Sequence, residues 1–245
     1  MSLKVRLVSP AKINLFLHIL GQNPNGYHEL QTIFQLINWY DKLEFEKTQD
    51  GKIELISPST SFPPEENLIY KAALLLQKKY PSSFGCKIFL EKNIPIGAGL
   101  GGGSSNAGIT LRALNELWDI NTNEKELLEI ATQLGADVPV FTLNHSAWAE
   151  GIGENLTPIK LAKQFYLVLY PNVFINTKKM FDHIDLKRNT KKIKLAEYSF
   201  ETTHNDFQNL ALDLYPEVKE AFNWLKQFGT PRLSGSGSSM FLAVK

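Results

Sequence analysis

The stretch that decides the fold is Pro95-Ile96-Gly97-Ala98-Gly99-Leu100-Gly101-Gly102-Gly103-Ser104-Ser105, which places five glycines in seven consecutive positions. Glycine loses more backbone freedom on folding than any other residue, so some structural requirement must offset that cost. The main chain can approach a bulky anion closely where no Cβ stands in the way, with successive N–H groups turned inward. The stretch therefore predicts a loop that binds a polyphosphate.

The segments on either side of the loop favour the same interpretation. Residues 87–91 are typical of a strand, and residues 105–118 of a helix with Leu111, Leu114 and Trp118 on one face. The N-terminus of this helix would add its dipole and its unpaired N–H groups to the anion site. The alternative is a flexible linker, which would usually lie within polar low-complexity sequence.

Two other nucleotide-binding motifs do not fit. A Walker A loop requires a lysine directly after its glycines, and none follows here. A GxGxxG fingerprint can be traced through Gly97, Gly99 and Gly102, but its acidic residue should end the next strand. Asp119 closes the predicted helix instead. A nicotinamide dinucleotide site is therefore not supported.

Composition excludes several broad classes of protein. The chain has 245 residues, 43% of them hydrophobic, and its 26 Lys and Arg against 25 Asp and Glu leave a net charge of +1. The length suits one large domain or two modest ones. Nucleic acid and acidic membranes are not expected as partners, because both attract a concentrated basic field. Any bound anion must be held by local geometry.

The rarer residues indicate a soluble, cytoplasmic protein. Cys86 is the single cysteine, so neither a disulfide framework nor a cysteine-rich zinc site is expected. The first residues lack an apolar signal-peptide core, and no stretch approaches the ~18 apolar residues of a membrane span. The five histidines lie far apart without a metal-binding spacing. A metal bound by the protein's own side chains is therefore not predicted.

Strands and helices mix without strict alternation, which favours an α+β fold. Strands are expected at residues 5–8, 13–20, 32–37, 42–46, 52–56, 87–91, 165–170 and 240–244, with a turn at Pro10 and a hairpin at Asp50-Gly51. Helices are expected at residues 67–80, 105–118, 124–134, 207–214 and 216–228. Turn-forming residues at 151–158 predict a boundary between domains 1–157 and 158–245. The basic stretch at 187–194 lacks interleaved aromatic residues, so a solvated loop is expected and not an RNA contact.

The glycine-rich loop resembles the ATP loop of the GHMP kinases, the superfamily of galactokinase, homoserine kinase, mevalonate kinase and phosphomevalonate kinase. The shared elements are a proline, a Gly-Leu pair and paired serines, here Pro95, Gly99-Leu100 and Ser104-Ser105. Three further segments are similar to one branch of that family and, with the loop, cover essentially the whole chain: residues 10–15 with Gly26-Tyr27-His28, residues 135–141, and residues 233–238.

The resemblance implies a two-domain α+β fold. An N-terminal domain like domain 2 of ribosomal protein S5 would meet a C-terminal GHMP kinase domain, with the active site in the cleft between them. ATP with Mg²⁺ would donate its γ-phosphoryl group to the 2-hydroxyl of a cytidine diphosphate-linked methylerythritol. The expected partners are these two small molecules, with no nucleic acid and no membrane, and the chain would act as a monomer or weak homodimer.

Two alternatives stay open. Another GHMP-type alcohol kinase, of the homoserine or mevalonate type, would share the ATP loop, and the Tyr27-His28 pair argues against it. An RNA-binding or structural protein that has lost catalysis is the alternative from a different class. The presence of both Lys12 and Asp137 argues against such a loss.

Asp137 and Lys12 are the candidate catalytic residues. Asp137 lies in an apolar run where an idle carboxylate would be costly to bury, but it could also cap a helix, since Pro139 suits a first turn. Lys12 stands among apolar neighbours and could pair with an anion or discourage aggregation as an edge-strand lysine. The resemblance makes Asp137 the base for the acceptor hydroxyl, with Lys12 beside it stabilising charge.

The resemblance also implies the binding residues. Asn14, on the same strand face as Lys12 by its i, i+2 spacing, would contact the substrate. Tyr27 and His28, in an exposed loop, would hold the cytosine with Phe181, and Gly235 would support the diphosphate. His28 and Lys92 could equally be ordinary surface residues, and Asn67 a helix cap. The ATP-binding residues would be Asn67, Lys92, Pro95, Ile96, Gly97, Ala98, Gly99, Leu100, Gly101, Gly102, Gly103, Ser104 and Ser105.

Overall fold

The computed structural model describes residues 3–24, 26–58 and 63–244. Its strands are β1 (Lys4–Gln22), β2 (His28–Thr48), β3 (Ile53–Ile56), β4 (Gly85–Glu91), β5 (Ala147–Glu150), β6 (Asn155–Pro158), β7 (Phe165–Leu169), β8 (Arg232–Leu233) and β9 (Met240–Val244). Its helices are α1 (Leu68–Lys79), α2 (Gly102–Leu117), α3 (Glu124–Leu134), α4 (Val138–Leu143), α5 (Thr177–Asp182), α6 (Gln208–Leu214) and α7 (Pro216–Leu225). The fold is α+β, as predicted.

The chain forms two compact units, each built from separated segments. The first unit contains Met1–Ala11, Ile37–Ile94 and Gly101–Asn144, and the second contains Lys12–Leu36, Pro95–Leu100 and His145–Lys245. The strands β1 and β2 each contribute residues to both units. Because these units are discontinuous in sequence, the division into continuous domains 1–157 and 158–245 stays a prediction.

Two long strands replace four shorter predicted ones. Residues 5–8 and 13–20 belong to the single strand β1, so the turn expected at Pro10 is wrong. Proline is tolerated in a strand where its missing N–H is not needed by a neighbour, and within the described residues β1 pairs with β2. Residues 32–37 and 42–46 likewise both belong to β2.

In the first unit, β4 lies between β2 and β3. It pairs antiparallel with β2 from Lys42–Glu91 to Thr48–Gly85, and in parallel with β3. The hairpin predicted at Asp50-Gly51 is therefore wrong, because the two strands that it joins are not paired with each other. Side chains of these strands and of α1, α2 and α3 form the core, including Phe45, Ile88, Ile69, Leu114 and Ile130.

Helix α2 is the centre of this unit. Twelve of its 16 residues are buried, so it is covered on more than the single face that the sequence predicts. A Cβ on Gly108 would lie 2.8 Å from the Thr142 backbone nitrogen, so α4 can cross α2 closely only because this residue is glycine. This contact holds α4, and with it the preceding Asp137, against α2.

In the second unit, residues Thr32–Phe34 of β2 pair antiparallel with β5, and β5 pairs with β6. The expected boundary segment at 151–158 is thus largely a β-hairpin. A second sheet has the order β7-β9-β8, all antiparallel. The core of this unit contains Leu17, Ile19, Met180, Phe207 and Leu233. Within the described ranges, no helix is long and apolar enough to cross a membrane.

Candidate active site

Lys12 and Asn14 lie side by side on β1, as their spacing predicts. The Lys12 Nζ donates to Asn14 Oδ1 at 2.6 Å, and Asn14 Nδ2 donates to Thr32 Oγ1 at 2.9 Å. Lys12 is 3% exposed and Asn14 is 1% exposed. The ammonium also lies 5.5 Å from the centre of the Phe34 ring. A buried lysine with these neighbours is not a surface lysine that protects a strand edge.

The second glycine cluster and the start of the glycine-rich loop pack on this pair. A Cβ on Gly235 would lie 3.3 Å from Lys12 Nζ, 3.4 Å from Asn14 Oδ1 and 3.3 Å from the Gly99 carbonyl oxygen. The Lys12 backbone N–H donates to the Leu100 carbonyl at 2.9 Å. The second unit thus brings Lys12, Asn14 and Gly235 together with the first half of the loop.

The loop turns through glycines in the left-handed region. Gly97 and Gly99 have φ of +69° and +74°, whereas Ala98 between them does not have a positive φ. Gly101 also has a positive φ, and α2 begins directly after it, three residues earlier than predicted. No side chain caps this helix, and its first turn carries no acidic residue. Such an N-terminus offers its N–H groups and dipole to an anion.

Lys92 is not a surface residue, because its side chain is buried against Asp41. The Lys92 Nζ lies 2.5 Å from Asp41 Oδ2, with both side chains almost fully buried. Burial lowers the pKa of Lys92 below its ordinary value, although Asp41 acts in the opposite direction. A Cβ on Gly102 would lie 2.6 Å from the Lys92 ammonium, so this ion pair directly underlies the start of α2.

Asp41 is the centre of a hydrogen-bond network that sequence reasoning missed. It accepts from the backbone N–H groups of Asn93 at 2.7 Å and Ile94 at 2.8 Å. The side chain of Asn106 donates to Asp41 at 2.9 Å and to Ser9 Oγ at 3.0 Å. An aspartate within an apolar strand was the available signal, because a buried carboxylate needs partners.

The network ends at the second serine of the loop. The Ser9 hydroxyl donates to Ser105 Oγ at 2.7 Å, with both residues buried. Beside it, Asn67 caps α1, since its Oδ1 accepts from the Ile69 N–H at 3.0 Å. A Cβ on Gly103 would have only the Leu68 methyl group within 4 Å, at 3.9 Å. The starts of α1 and α2 therefore lie close together in the first unit.

Asp137 directly precedes α4 in the first unit. It occupies the N-cap position with Pro139 in the first turn, as the cap alternative predicts, but its side chain makes no capping hydrogen bond to that helix. The carboxylate is partly exposed, whereas Val138 and Pro139 after it are buried. Asp137 is therefore held by a packed helix while its own side chain keeps access to solvent.

In the second unit, His28 and Phe181 form an aromatic pair. The rings of His28 and Phe181 stack with their centroids 4.8 Å apart and their planes at 26°. Tyr27 is 58% exposed, but His28 begins β2 and is only 6% exposed, so the exposed position expected for His28 is wrong. Asn25, in the loop before them, lies outside the described residues. Burial and the charge of Arg188 lower the pKa of His28, although Asp182 acts in the opposite direction.

The basic stretch is a loop whose four lysines are exposed, as predicted, and Arg188 is its exception. Its Nε donates to His28 Nε2 at 3.0 Å, and its Nη2 donates to the Phe181 carbonyl at 2.7 Å. Lys192 pairs with Glu150 at 3.0 Å and is exposed like the other three lysines of the stretch. The only signal was that Arg188 is the one arginine among lysines, and a guanidinium makes several directed hydrogen bonds.

Comparison with known proteins adds to this geometry. Residues 67–145 match the GHMP kinases N terminal domain, and residues 186–245 match the GHMP kinases C terminal domain. A 4-diphosphocytidyl-2-C-methyl-D-erythritol kinase of Pseudoalteromonas atlantica is 47% identical over 233 residues, which are 95% of this chain and 82% of that relative. The chain belongs to the 4-diphosphocytidyl-2-C-methyl-D-erythritol kinase family.

Other similar proteins have the same name or the same fold. A 4-diphosphocytidyl-2-C-methyl-D-erythritol kinase of Acinetobacter baumannii is 47% identical over 98% of this chain and 87% of its own length. The crystal structure of a kinase of the same name has a TM-score of 0.83 at 33% identity, covering 98% of this chain and 90% of that one. A Methanococcus jannaschii mevalonate kinase, at 17% identity and a TM-score of 0.66, shares the fold. The predicted family, the kinase class and ATP as its co-substrate are confirmed.

The proposed ATP loop of this chain carries two hydroxyl side chains, Ser104 and Ser105. In the part of the chain that the structure describes, no group of three or more His, Cys, Asp and Glu side chains could hold a metal ion. Mg²⁺ keeps several water ligands and is often held by one or two protein oxygens together with substrate phosphates. The hydroxyl groups of the two loop serines match this need for one or two protein oxygen ligands.

Proposed function

We propose that the protein transfers the γ-phosphoryl group of ATP to the 2-hydroxyl of 4-diphosphocytidyl-2-C-methyl-D-erythritol, giving the 2-phosphate and ADP. The observation that carries the proposal is the 47% identity, over 95% of the chain, to a kinase named for that substrate. The arrangement of the glycine-rich loop, the Lys12–Asn14 pair and the His28–Phe181 stack is consistent with it. Mevalonate and homoserine are the acceptors of the less favoured alternative.

ATP would bind along the loop from Pro95 to Ser105. The uncapped N-terminus of α2 and the left-handed glycines before it support this assignment, because they leave N–H groups available for phosphate oxygens. Mg²⁺, when bound with ATP, would neutralise charge on the phosphates, and the Ser104 and Ser105 hydroxyls are its candidate protein ligands. Asn67 and Lys92 would line the adenosine side.

Lys12 and Asp137 would act on the transferring group and the acceptor. Phosphoryl transfer needs oriented reactants and neutralised charge more than it needs covalent chemistry by the protein. The hydrogen bond from Lys12 to Asn14 holds the ammonium in one place, so it can stabilise developing negative charge without reorganising. Asp137 would accept or direct the proton of the 2-hydroxyl.

The acceptor would be held at its cytidine diphosphate end. His28 and Phe181 already form an aromatic stack, next to the exposed Tyr27, which suits a flat pyrimidine. Gly235, which lacks a Cβ and therefore packs closely on Lys12 and Asn14, would support the diphosphate with its backbone. We expect a monomer or weak homodimer as the active form.

The test is a direct assay of phosphoryl transfer. The purified protein is incubated with ATP, Mg²⁺ and 4-diphosphocytidyl-2-C-methyl-D-erythritol, and ADP release is followed while phosphorus NMR detects a new phosphomonoester. Mevalonate and homoserine serve as competing acceptors, and Asp137→Asn serves as the inactive control. The proposal predicts turnover that depends on the cytidylyl acceptor. ADP release without that dependence, or faster turnover of mevalonate or homoserine, would overturn it.

A further inference from the structure

One guanidinium joins both halves of the aromatic stack. Arg188 Nε donates to His28 Nε2 at 3.0 Å. Its Nη2 donates to the carbonyl oxygens of Phe181 and His183, both at 2.7 Å, and its Nη1 donates to the Leu186 carbonyl at 3.1 Å. Arg188 therefore holds the imidazole on one side of the stack and, on the other, the backbone that carries the Phe181 ring.

The bond between Arg188 and His28 also decides where the imidazole carries its proton. A guanidinium has donors only, so His28 Nε2 must be the acceptor and must be unprotonated. The remaining ring proton then lies on Nδ1, and the side chain is neutral. Burial and the Arg188 charge lower the pKa of His28 and favour this neutral form, against the opposing effect of Asp182.

We propose that Arg188 is a positioning and specificity residue of the acceptor site, which holds His28 as its neutral Nδ1–H tautomer at stacking distance from Phe181. The imidazole then offers a single hydrogen-bond donor to the edge of the bound base. This inference rests on the proposed function, because it takes His28 and Phe181 as the residues that hold the cytosine.

The tautomer matters because cytosine and uracil differ at N3. The N3 atom of cytosine is an acceptor, whereas N3 of uracil carries a proton. A His28 Nδ1–H can therefore pair with cytosine at this position but meets a second donor in uracil. The opposite tautomer would accept from uracil N3. Selection against the wrong base thus comes from an unpaired buried donor, which is an effective way to reject an analogue.

The experiment compares Arg188→Met with the wild type, and Lys187→Met serves as the control because Lys187 is an exposed neighbour. Nitrogen-15 NMR of the imidazole rings reports the tautomer and pKa of each histidine, with His28 identified through His28→Gln. The wild type is expected to show Nδ1–H at His28. In Arg188→Met we expect the Nε2–H form to appear and the pKa of His28 to rise, because a nearby positive charge is lost.

Kinetics provide the second measurement. Arg188→Met should raise KM for the cytidylyl substrate by about tenfold or more, since a charge-assisted hydrogen bond is lost, with little change in kcat or in KM for ATP. The preference for the cytidylyl over the matching uridylyl compound should fall as well. A purely structural role would raise KM for both compounds equally and leave the tautomer unchanged, and that result would overturn the inference.

A second variant keeps the test decisive if Arg188→Met does not fold. Arg188→Gln retains an N–H donor without the charge, so the Nδ1–H tautomer should persist while the pKa of His28 rises. A wild-type spectrum that shows the Nε2–H form of His28 in place of the Nδ1–H form would also contradict the inference. Failure of the proposed function gives a different result. In that case the wild type does not turn over the cytidylyl substrate, whereas the tautomer of His28 can still be measured on the free protein.

Discussion

The ammonium group of Lys92 lies 2.5 Å from the carboxylate of Asp41, and neither side chain is open to solvent. The two residues are 51 positions apart, and their pairing ties the end of β4 to the middle of β2. Through Asn106 and Ser9 the same carboxylate is connected to Ser105, at the start of α2. A buried polar network therefore supports the start of α2, where the serine end of the proposed phosphate loop lies.

Replacing Asp41 tests that dependence. Asp41→Asn leaves the Lys92 ammonium buried without its counter-charge, so we expect a loss of about 3–5 kcal/mol in the free energy of unfolding and a higher KM for ATP. Urea denaturation and ATP titration measure the two effects. The control is Glu91→Gln, which breaks an exposed pair with Lys42 and should cost less than ~1 kcal/mol. Equal effects of the two substitutions would contradict the importance of the network.

Lys12 is predicted to act in the chemical step. Lys12→Met keeps most of the side-chain volume but removes the charge that would stabilise the transferring phosphoryl group, so kcat should fall by about 100-fold or more. Steady-state kinetics measure kcat, and KM for ATP should change little. Lys42→Met, at an exposed lysine of β2, should retain normal kinetics. A near-normal kcat in Lys12→Met would remove this residue from the mechanism.

Asp137 is predicted to be needed for turnover and dispensable for nucleotide binding. Asp137→Asn keeps the shape of the side chain but cannot accept the proton of the acceptor hydroxyl, so kcat should fall by about 100-fold or more. Calorimetry should find ATP affinity nearly unchanged. Asp119→Asn is the matched control, because its side chain is exposed and asparagine tolerates its φ of +57°. Loss of ATP binding in Asp137→Asn would indicate a structural role.

Two glycines of the loop should respond differently to alanine. A Cβ on Gly99 would overlap the carbonyl oxygens of Ser234 and Gly237, and its φ is +74°, so Gly99→Ala should destabilise the fold. At Gly103 a Cβ meets only a methyl group at 3.9 Å. Gly103→Ala should therefore fold normally but bind ATP about tenfold less tightly, because the Cβ would keep a phosphate away from the backbone. Unchanged ATP affinity would place the phosphates elsewhere.

His18 should make stability depend on pH. It is buried and packed against Phe16 and His204, and burial, together with the His204 and Arg232 charges and against Asp206, lowers its pKa from 6.5 to about 4. Between these two values the unfolded chain binds a proton that the folded chain does not. The contribution of His18 is complete above pH 6.5 and is lost as the pH falls toward 4, by about 3 kcal/mol.

Thermal melting from pH 7.5 to 4 measures this effect. Because His18→Gln has no imidazole to protonate at this position, its stability should fall less steeply over the acidic range than that of the wild type. His145→Gln, at an exposed histidine, should follow the wild-type curve. Parallel curves for wild type and His18→Gln would show that His18 does not cause the pH dependence.

Local features of the molecule were readable from the sequence. The glycine-rich loop, the cap at Asn67 and the bounds of α3 depend on residues within one or two turns of each other. The shared face of Lys12 and Asn14 follows from the two-residue period of a strand. In these cases the physical cause lies in the backbone preferences and spacing of neighbouring residues, which a single sequence contains. The family resemblance drew on the same short motifs.

Only the tertiary structure decided which distant residues share a buried polar contact. Arg188 meets His28 across 160 positions, and Asp41 meets Asn106 across 65. The local sequence indicates that each of these two residues needs hydrogen-bond partners, but it does not show which distant residue supplies them. The order in which β4 enters between β2 and β3 was equally hidden, because strand pairing depends on the packing of helices against the sheet. Burial creates the need for a partner, and the sequence alone does not show which partner the fold supplies.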